Sequence, residues 1–269
     1  MNPIKELWEY RFLIWNLAQR DLRSRYKKSI LGWLWSLINP ASTLVIFTVV
    51  FGFLLKGDPP EAANGGKNFG LWLFTGLVVW NFFASTVNGS ITALSTSGGL
   101  LKKVYFPPTA PAVANLMVAF SQAVIEFTIL GFFIIMFGNF SLYMFLFPIT
   151  ILLVGFFALG IGLWVSILNL YYRDIGYLVG IAMNMLFYLT PIVYSFNQIG
   201  GISAWGVPVS TVLKANPMTD FVELNRFFFY RHDFPGVVPA VFMVVATVVS
   251  LVAGSYMFSR KAQFVSEEI

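Results

Sequence analysis

Long apolar stretches separated by short polar segments dominate the chain. An apolar helix of about 20 residues crosses the roughly 30 Å hydrocarbon core of a bilayer, at about 1.5 Å of rise per residue. Six stretches reach this length, at residues 30–55, 69–94, 109–137, 143–169, 177–196 and 235–258. The pattern therefore predicts an all-α integral membrane protein with six transmembrane helices, the fifth interrupted by Asn184, Thr190 and Pro191.

The other segments flank or interrupt a membrane core at residues 30–258. Residues 1–29 are partly amphipathic, which predicts an interfacial helix on the inner leaflet or an anchor without a further role. Residues 197–234 are too polar to span a membrane, but their aromatic run at 227–230 is unlike a loop in water. We expect short re-entrant or interfacial helices there, on the outer side, and a cytoplasmic tail at residues 259–269.

Lys and Arg are distributed unevenly between the two sides of the predicted spans. Of the 17 such residues, twelve lie before the first span, after the second and fourth spans, or after the sixth, whereas five lie in the other loops. The cytoplasmic loops of membrane proteins carry the excess of Lys and Arg. Both termini are therefore predicted to be cytoplasmic, and the net charge of +5 reflects orientation rather than nucleic-acid binding.

Composition agrees with a bilayer environment and excludes several kinds of chemistry. Hydrophobic residues make up 58% and charged residues 11% of the chain, whereas soluble domains have about 25% charged residues. There is no Cys for disulfide or thiolate chemistry, and His232 alone cannot form a histidine metal cluster. No Walker-type phosphate loop, nucleophile elbow, zinc motif or dinucleotide motif occurs. If the protein uses ATP, another chain must bind it.

Several short motifs lie near the predicted ends of the spans. The longest, RDLRSRYKKSILGWLW at residues 20–35, is followed by LKKVYFP at 101–107, YRDI at 172–175, TPIVY at 190–194 and NPM at 216–218. Each motif alone is weakly specific. Taken in this order with six predicted spans, the whole chain resembles the permease subunits of type-2 ABC exporters of lipid-linked polysaccharide, such as O-antigen or teichoic acid.

The resemblance implies a homodimer with two copies of a separate ATPase subunit, which binds ATP and Mg²⁺, in a bacterial plasma membrane. Its substrate would be a polysaccharide on a polyprenyl pyrophosphate, and residues 197–234 would gate the exit. A type-2 ABC exporter of drugs or small lipids is the alternative. A membrane-embedded glycosyltransferase needs inner-face carboxylates, and those nearest the membrane are Asp21 and Asp174, each beside an Arg. A proton- or sodium-driven carrier would have inverted repeats, which are not visible here.

Residues 96–108, between the second and third spans, are implied by the resemblance to be the coupling segment that docks on the ATPase. Pro107-Pro108 would end its helix and direct the chain into the membrane. The alternative is an interfacial loop that only follows the positive-inside rule. Arg173-Asp174 lies on the same side, either against the ATPase or as a local ion pair. The candidate ATPase contacts are Leu101, Lys102, Lys103, Val104, Tyr105, Phe106, Arg173 and Asp174.

Basic residues before the first span are candidates for binding the pyrophosphate at the inner surface, where a lipid anchor would enter sideways. Aromatic residues in the spans are candidates for a glycan path, because the apolar C–H faces of sugars stack on rings. Most such rings in membrane proteins lie at interfaces or against lipid instead. The basic candidates are Arg23, Arg25, Lys27 and Lys28, and the aromatic candidates are Trp33, Trp35, Trp72, Trp80, Phe82, Phe83 and Tyr188.

Glu126 is the one ionisable residue near the middle of a predicted span. A carboxyl group at this depth is costly and usually faces protein or water. Gln122, one turn earlier, and polar groups on neighbouring helices are its expected hydrogen-bond partners. We expect a structural or path-lining role for Glu126. Ala158 and Gly162 form a pair of small residues that suits close helix packing.

Overall fold

The computed structural model describes residues 3–27, 29–54, 57–101, 103–199, 203–204 and 206–262, and it is almost entirely helical. The strands in this part of the chain, β1 (Ser203–Ala204) and β2 (Val207–Pro208), form one short antiparallel pair. The helices are α1 (Pro3–Glu9), α2 (Arg11–Tyr26), α3 (Trp35–Phe47), α4 (Phe69–Thr96), α5 (Gly98–Leu101), α6 (Ala110–Met136), α7 (Phe147–Tyr171), α8 (Ile175–Tyr188), α9 (Val209–Lys214), α10 (Pro217–Arg226) and α11 (Val237–Ala262).

Single helical turns of other types extend several of these helices. Gly32–Leu34 precedes α3, Leu142–Leu146 precedes α7, and Phe196–Ile199 is a separate 3-10 turn. The π-helical segments Thr48–Leu54 and Phe227–Arg231 follow α3 and α10. With these extensions, α3, which has 13 residues by itself, becomes part of a 23-residue helical segment that is long enough to cross a bilayer.

Five helical segments of the described chain are long and apolar enough to cross a membrane, which confirms five of the six predicted spans. The remaining prediction, the fifth span at residues 177–196, differs from the structure in length. The helix there, α8, has 14 residues and reaches about 21 Å. The helix ends at Tyr188, before Pro191, whose ring restricts the preceding residue to extended backbone. The five segments are Gly32–Leu54, Phe69–Leu100, Ala110–Met136, Leu142–Tyr171 and Val237–Lys261.

The helix α4 lies at the centre of the bundle and is buried along most of its length. It begins at Asn68, whose side-chain oxygen accepts a hydrogen bond from the backbone N–H of Leu71 at 3.0 Å, a common helix-start contact. It packs against α3, α6, α7, α8 and α10. The two faces of α7 contact α4 and α11, so α11 joins the bundle mainly through α7.

Small residues allow the helices to approach one another closely, as expected where lipid provides no hydrophobic drive for association. The predicted packing role of Ala158 and Gly162 agrees with the structure. Ala158 is buried, and a side chain at Gly162 would lie 2.6 Å from the hydroxyl of Ser90 on α4. On the opposite face of α7, a side chain at Gly254 of α11 would collide with the backbone carbonyl of Gly160.

The bundle has two ends with different contents. We call the end that carries α1, α2 and α5 the terminal end, where Ile14 and Leu17 of α2 pack against Ala114 near the start of α6. We call the opposite end, which carries residues 57–68, 137–146 and 189–199 with α9 and α10, the distal end. The hydroxyl of Tyr230 donates to the backbone oxygen of Pro60 at 2.9 Å. This hydrogen bond joins two separate segments of the distal end.

The segment at residues 197–234 contains the two short helices α9 and α10. Asn216 starts α10 by accepting a hydrogen bond from the backbone N–H of Met218 at 3.0 Å, and Pro217 occupies the first turn. One face of α10 is buried against α4 and α7. The aromatic run 227–230 enters this contact, since Phe228, Phe229 and Tyr230 are buried.

Candidate functional site

The coupling segment predicted at residues 96–108 lies at the terminal end, between α4 and α6. It contains the short helix α5 and a turn before Pro107. Lys103, Val104 and Tyr105 are exposed, and the Tyr105 hydroxyl donates to the Glu6 carboxylate of α1 at 3.3 Å. Lys102 and the side chain of Leu101 lie outside the described residues.

Phe106 differs from the other predicted ATPase contacts, because its side chain is 1% exposed. It packs with Ala18 of α2 and Ala110 of α6 in a small apolar cluster. The prediction that its ring contacts a partner is therefore corrected: in the structure the ring holds the coupling segment against α2. The sequence shows an apolar residue between Tyr105 and two prolines, but it does not show which side of the loop faces the protein.

The turn that carries Arg173 and Asp174 also lies at the terminal end, between α7 and α8. Both side chains are exposed, and within the described part of the chain neither takes part in a salt bridge. The Asn169 side chain holds this turn, because it donates to the backbone oxygen of Ile91 at 3.2 Å and accepts from the N–H of Gly176 at 3.0 Å. The turn is thereby joined to the part of α4 that leads into the coupling segment.

The basic candidates lie at the end of α2. Arg23, Arg25 and Lys27 are exposed, and none takes part in a salt bridge among the described residues. Lys28 lies outside the described residues. Gly32, with a positive φ of 51°, turns the chain into α3. The aromatic candidates Trp33 and Trp35 follow this turn and are exposed.

The other aromatic candidates are mostly buried within the bundle. Trp72, Trp80, Phe82 and Phe83 are 1–8% exposed, whereas Tyr188 is 72% exposed. Of the seven candidates for a glycan path, Trp33, Trp35 and Tyr188 are therefore the exposed ones, whereas the four buried rings pack helices together. Their contacts run from Tyr188 through Phe187, Trp80, Phe83 and Phe157 to Phe221, with ring centroids 5.1–5.8 Å apart.

Glu126 lies where α3, α4 and α6 meet, and it is 5% exposed. Its carboxyl oxygens accept hydrogen bonds from Asn81 of α4 at 3.0 Å and from Gln122 at 3.3 Å. The Gln122 amide also donates to the backbone oxygen of Ser36 of α3 at 3.1 Å. Glu126 therefore joins three helices through neutral hydrogen-bond donors, which favours the structural role over an open path.

Arg226, at the end of α10, is a fully buried charge that the sequence analysis did not single out. Its guanidinium donates to the backbone oxygens of Pro191 at 2.7 Å and Ile192 at 2.9 Å. It also pairs with the Glu223 carboxylate at 2.7 Å and lies 3.8 Å from the centre of the Trp72 ring. This cluster fastens α10 to α4 and to the turn after α8.

Two of the sequence motifs meet beside this cluster. The Asn216 amide, from the NPM motif, donates to the Thr190 hydroxyl at 3.0 Å and to the backbone oxygen of Leu189 at 3.2 Å. On the next turns of α10, the Asn225 amide donates to the backbone oxygen of Thr75 at 2.7 Å. The distal end is therefore a connected polar network between α10, α4 and the end of α8.

The family model described as ABC-2 type transporter matches residues 12–230. This chain belongs to that family. The match begins in α2 and ends in the turn after α10, so it includes the coupling segment, the turn at 173–174 and the Arg226 cluster. Together with the apolar helices described above, it identifies a multi-pass membrane protein, the permease component of an ABC transporter.

Named relatives of this ABC-2 chain include permeases of polysaccharide export. It is 30% identical over 271 residues to the O-antigen export system permease protein RfbA of Myxococcus xanthus, covering 99% of this chain and 98% of that protein. A protein of the same name from Klebsiella pneumoniae is 28% identical over 77% of this chain and 75% of its own length. The polysialic acid transport protein KpsM of Escherichia coli is 25% identical, covering 78% of each chain.

The sequence of this ABC-2 permease contained one signal for the Arg226 cluster. Arg226 follows Glu223 by three residues, a spacing that places both on one helix face, and it precedes the aromatic run 227–230. A charge beside such a run in an apolar chain is expected to be paired. The carbonyl partners at Pro191 and Ile192 had no signal in the sequence, because they lie 34 to 35 residues away.

Proposed function

We propose that this chain is the membrane subunit of an ATP-driven exporter. It moves a polysaccharide linked to polyprenyl pyrophosphate from the cytoplasm to the outer face of a bacterial plasma membrane. The observation that carries the proposal is the similarity along 99% of the chain to an O-antigen export permease. Similarity to a polysialic acid transport protein adds support for a polysaccharide, since the two named cargoes are different glycans.

The proposed orientation puts the terminal end in the cytoplasm and the distal end outside. Twelve of the 17 Lys and Arg residues lie on the side of the termini, in agreement with the positive-inside rule. In this orientation the exposed Val104 and Tyr105 face the cytoplasm, at the same end of the bundle as the turn of Arg173 and Asp174. These residues would contact a separate ATPase subunit, which would hold ATP and Mg²⁺ because this sequence has no phosphate loop.

A second copy of the chain would complete the transport path. The helices α3 and α8 both pack against α4, yet most of their remaining surface is exposed and apolar. Trp33 and Trp35 of the first span and Tyr188 of α8 lie on this exposed surface. Pairing of two copies along α3 and α8 would cover most of this apolar surface and leave the aromatic side chains along a central path. The proposed assembly is therefore two permeases with two ATPases.

The lipid anchor would enter from the inner leaflet near α2. Arg23, Arg25 and Lys27 are exposed there, without a salt-bridge partner in the described part of the chain. Basic side chains at a membrane surface attract anionic headgroups by about 1 kcal/mol each, and a pyrophosphate carries such charge. Trp33 and Trp35 lie just beyond, where the first sugars would meet α3.

A drug or small-lipid exporter is a second candidate because of one cavity. A cleft of about 530 Å³ lies between α2, α6 and α7, and apolar side chains such as Leu116, Phe120 and Leu152 form most of its wall. Sites for drug-sized molecules have volumes of about 300–1,000 Å³. A polysaccharide exceeds this volume and must thread through a continuous path. Depletion of the protein would therefore stop export of a glycan under the first proposal and export of small hydrophobic molecules under the second.

The test is depletion of the chain in cells given a radioactive sugar. Under the proposal, completed glycan accumulates on the inner leaflet and disappears from the cell surface, and wild-type protein restores export. A matched control expresses a Walker-motif mutant of the proposed ATPase partner, which should cause the same accumulation. Normal surface glycan combined with raised sensitivity to hydrophobic drugs would favour the second candidate and overturn the first.

A further inference from the structure

One cavity in the described part of the chain lies at the distal end, between α10 and α11. Its volume is about 660 Å³, within the range of about 300–1,000 Å³ for small-ligand sites. Lys214, Asp220, Glu223 and Arg231 contribute charged groups to its wall. The site described above uses Glu223 as the partner of Arg226 but does not use this cavity.

Two basic and two acidic side chains line the cavity, and Glu223 is also paired with Arg226 at 2.7 Å. Arg231 pairs with Glu223 at 3.1 Å, whereas neither the ammonium of Lys214 nor the carboxyl of Asp220 has a hydrogen-bond partner among the described residues. A phosphate would be repelled by Asp220 and a cation by Lys214. A ligand with many hydroxyl groups, each a donor and an acceptor, can bind both signs.

Asp220 is the acidic group of this cavity that has no hydrogen-bond donor among the described residues. Its side chain is half-buried, and the pKa of its carboxyl group is raised to about 6 by burial and by the charge of Glu223, with Lys214 acting in the opposite direction. A partly buried carboxylate without a donor is unfavourable. A hydroxyl that donated to it would offset this loss and lower the pKa towards its usual value.

Aromatic rings form the apolar part of the wall. Phe196 and Phe227 lie on one side and Phe242 of α11 contributes from another. Lys214 lies 5.8 Å from the Phe196 ring centre and Arg231 lies 5.2 Å from that of Phe227. Charged groups beside ring faces suit a sugar, which presents hydroxyls at its edge and C–H groups on its face.

The cavity does not end at these rings. A second cavity of about 260 Å³ shares Phe196, Glu223 and Arg231 with it and extends to Trp72 and Asn197. The indole N–H of Trp72 has no hydrogen-bond partner among the described residues. We call these two adjoining cavities together the cleft.

We propose that this cleft, between α10, α11 and residues 195–198, is a carbohydrate-binding site that holds units of the glycan at the distal end. The assignment rests on the proposed function, since it takes the exported polymer as the source of the sugar. Weak binding at the exit would keep the emerging polymer from slipping back between rounds of ATP hydrolysis. The cleft would then contribute to which glycan the exporter accepts.

The experiment uses p-benzoylphenylalanine in place of Val238, which lines the cleft and is 80% exposed, and in a second variant in place of Phe242. The matched control has the crosslinker in place of Phe140, an exposed distal-end aromatic outside the cleft. Cells are given radioactive sugar, irradiated, and the full-length permease is purified. We expect labelled adducts at positions 238 and 242 and none at 140.

Combining Asp220→Asn with the crosslinker at position 238 should lower adduct yield about tenfold, the effect of one charge-assisted hydrogen bond. Adducts with phospholipid alone, or no adducts in cells that still export labelled glycan through this permease, would overturn the carbohydrate site and leave the proposed function intact. If depletion of the chain does not reduce export at all, the proposed function itself fails. The two results are therefore distinguishable in the same strain.

Discussion

The guanidinium of Arg226 lies 3.8 Å from the centre of the Trp72 ring and joins α10 to α4 inside the bundle. A buried guanidinium is stabilised when its flat face stacks on an aromatic ring and its N–H groups donate to acceptors. Arg226 has both, since it also donates to two backbone oxygens. Any displacement of the turn after α8 must therefore displace α10 or break these contacts. In the proposed exporter, this arrangement would make the end of α8 and the distal helices move together.

Arg226→Gln should destabilise the protein by about 3–5 kcal/mol, because it leaves buried acceptors without their charged partner. Arg226→Lys should recover only part of the loss, since an ammonium cannot bind in two directions while stacking. Arg231→Gln is the matched control, because Arg231 pairs with the same Glu223 but is 34% exposed, so we expect about 0–1 kcal/mol. Thermal unfolding in detergent measures all three, and equal Tm values for Arg226→Gln and Arg231→Gln would contradict the prediction.

Gly254→Ala should separate α7 from α11, because the added methyl group would overlap the backbone carbonyl of Gly160. Overpacking of this kind typically costs about 1–3 kcal/mol. Gly180→Ala is the control, since no atom lies within 4 Å of the corresponding position and Ala is the better helix former. Purified yield and Tm should fall only for Gly254→Ala, and a normal Tm would mean that the helices have room to move apart.

Tyr105→Asp should weaken binding of the ATPase without unfolding the permease, because Tyr105 is 75% exposed. Phe106→Ala should instead lower the stability of the permease itself, by about 3–5 kcal/mol as for other buried Phe residues. Tyr105→Phe, which removes only the hydrogen bond to Glu6, is the control for the hydroxyl. Co-purification of the two subunits and the Tm of the permease separate the effects. If the ATPase co-purifies with the Tyr105→Asp variant as well as with the wild type, Tyr105 does not contribute to docking.

Single cysteines at positions 65 and 103 should react on opposite sides of the membrane, and the natural chain contains no Cys to interfere. Both residues lie outside the five apolar helical segments, and Gly65 and Lys103 are exposed. An impermeant maleimide added to intact cells should label position 65 and spare position 103. In inverted vesicles the pattern should reverse. Labelling of 103 in intact cells would put the terminal end outside.

Asp220 predicts a dependence of stability on pH. In the folded protein its pKa is raised to about 6, from 3.8, while Lys214, Glu223 and Arg231 are the charged groups facing it and α11 contributes only apolar side chains to the cavity. Between these two pH values the folded state holds a proton that the unfolded state has lost, so this group makes stability fall as pH rises to about 6 and adds no further change above.

Asp220→Asn should therefore be more stable than the wild type near pH 7.5 and equal to it near pH 4. Thermal unfolding of both proteins across this range, without added sugar, measures the difference. Asp58→Asn is a suitable control, since Asp58 is paired with Lys67 at 2.8 Å on the surface. A Tm difference that is the same at both pH values would show that the Asp220 carboxyl is not the group responsible.

Hydropathy and charge along the sequence were sufficient for the membrane class and for five of the spans, because both properties depend on the composition of single segments. The short motifs were also sufficient for the family, which the match over residues 12–230 confirms. The span at residues 177–196 was predicted too long. Its apolar content continues past Tyr188, but Thr190, Pro191 and the contacts made by Asn216 and Arg226 end the helix there.

The roles of individual side chains depended on tertiary contacts. The type of an aromatic residue does not show whether its ring faces a path or a neighbouring helix. The sequence therefore did not distinguish buried Trp72 and Phe83 from exposed Tyr188. Phe106 and Tyr105 are adjacent in the chain but point to opposite environments.

Segment composition by itself determined that this is a multi-pass helical membrane protein, since transfer of apolar residues from water to lipid is decided locally. Only the tertiary structure decided that Arg226 donates to the Pro191 and Ile192 carbonyls, that Glu126 accepts from Asn81 of α4, and that Asp220 faces a cleft. These properties arise from groups tens of residues apart in the chain, and the energy of a buried charge or hydrogen bond depends on the partner that packing brings within about 3 Å.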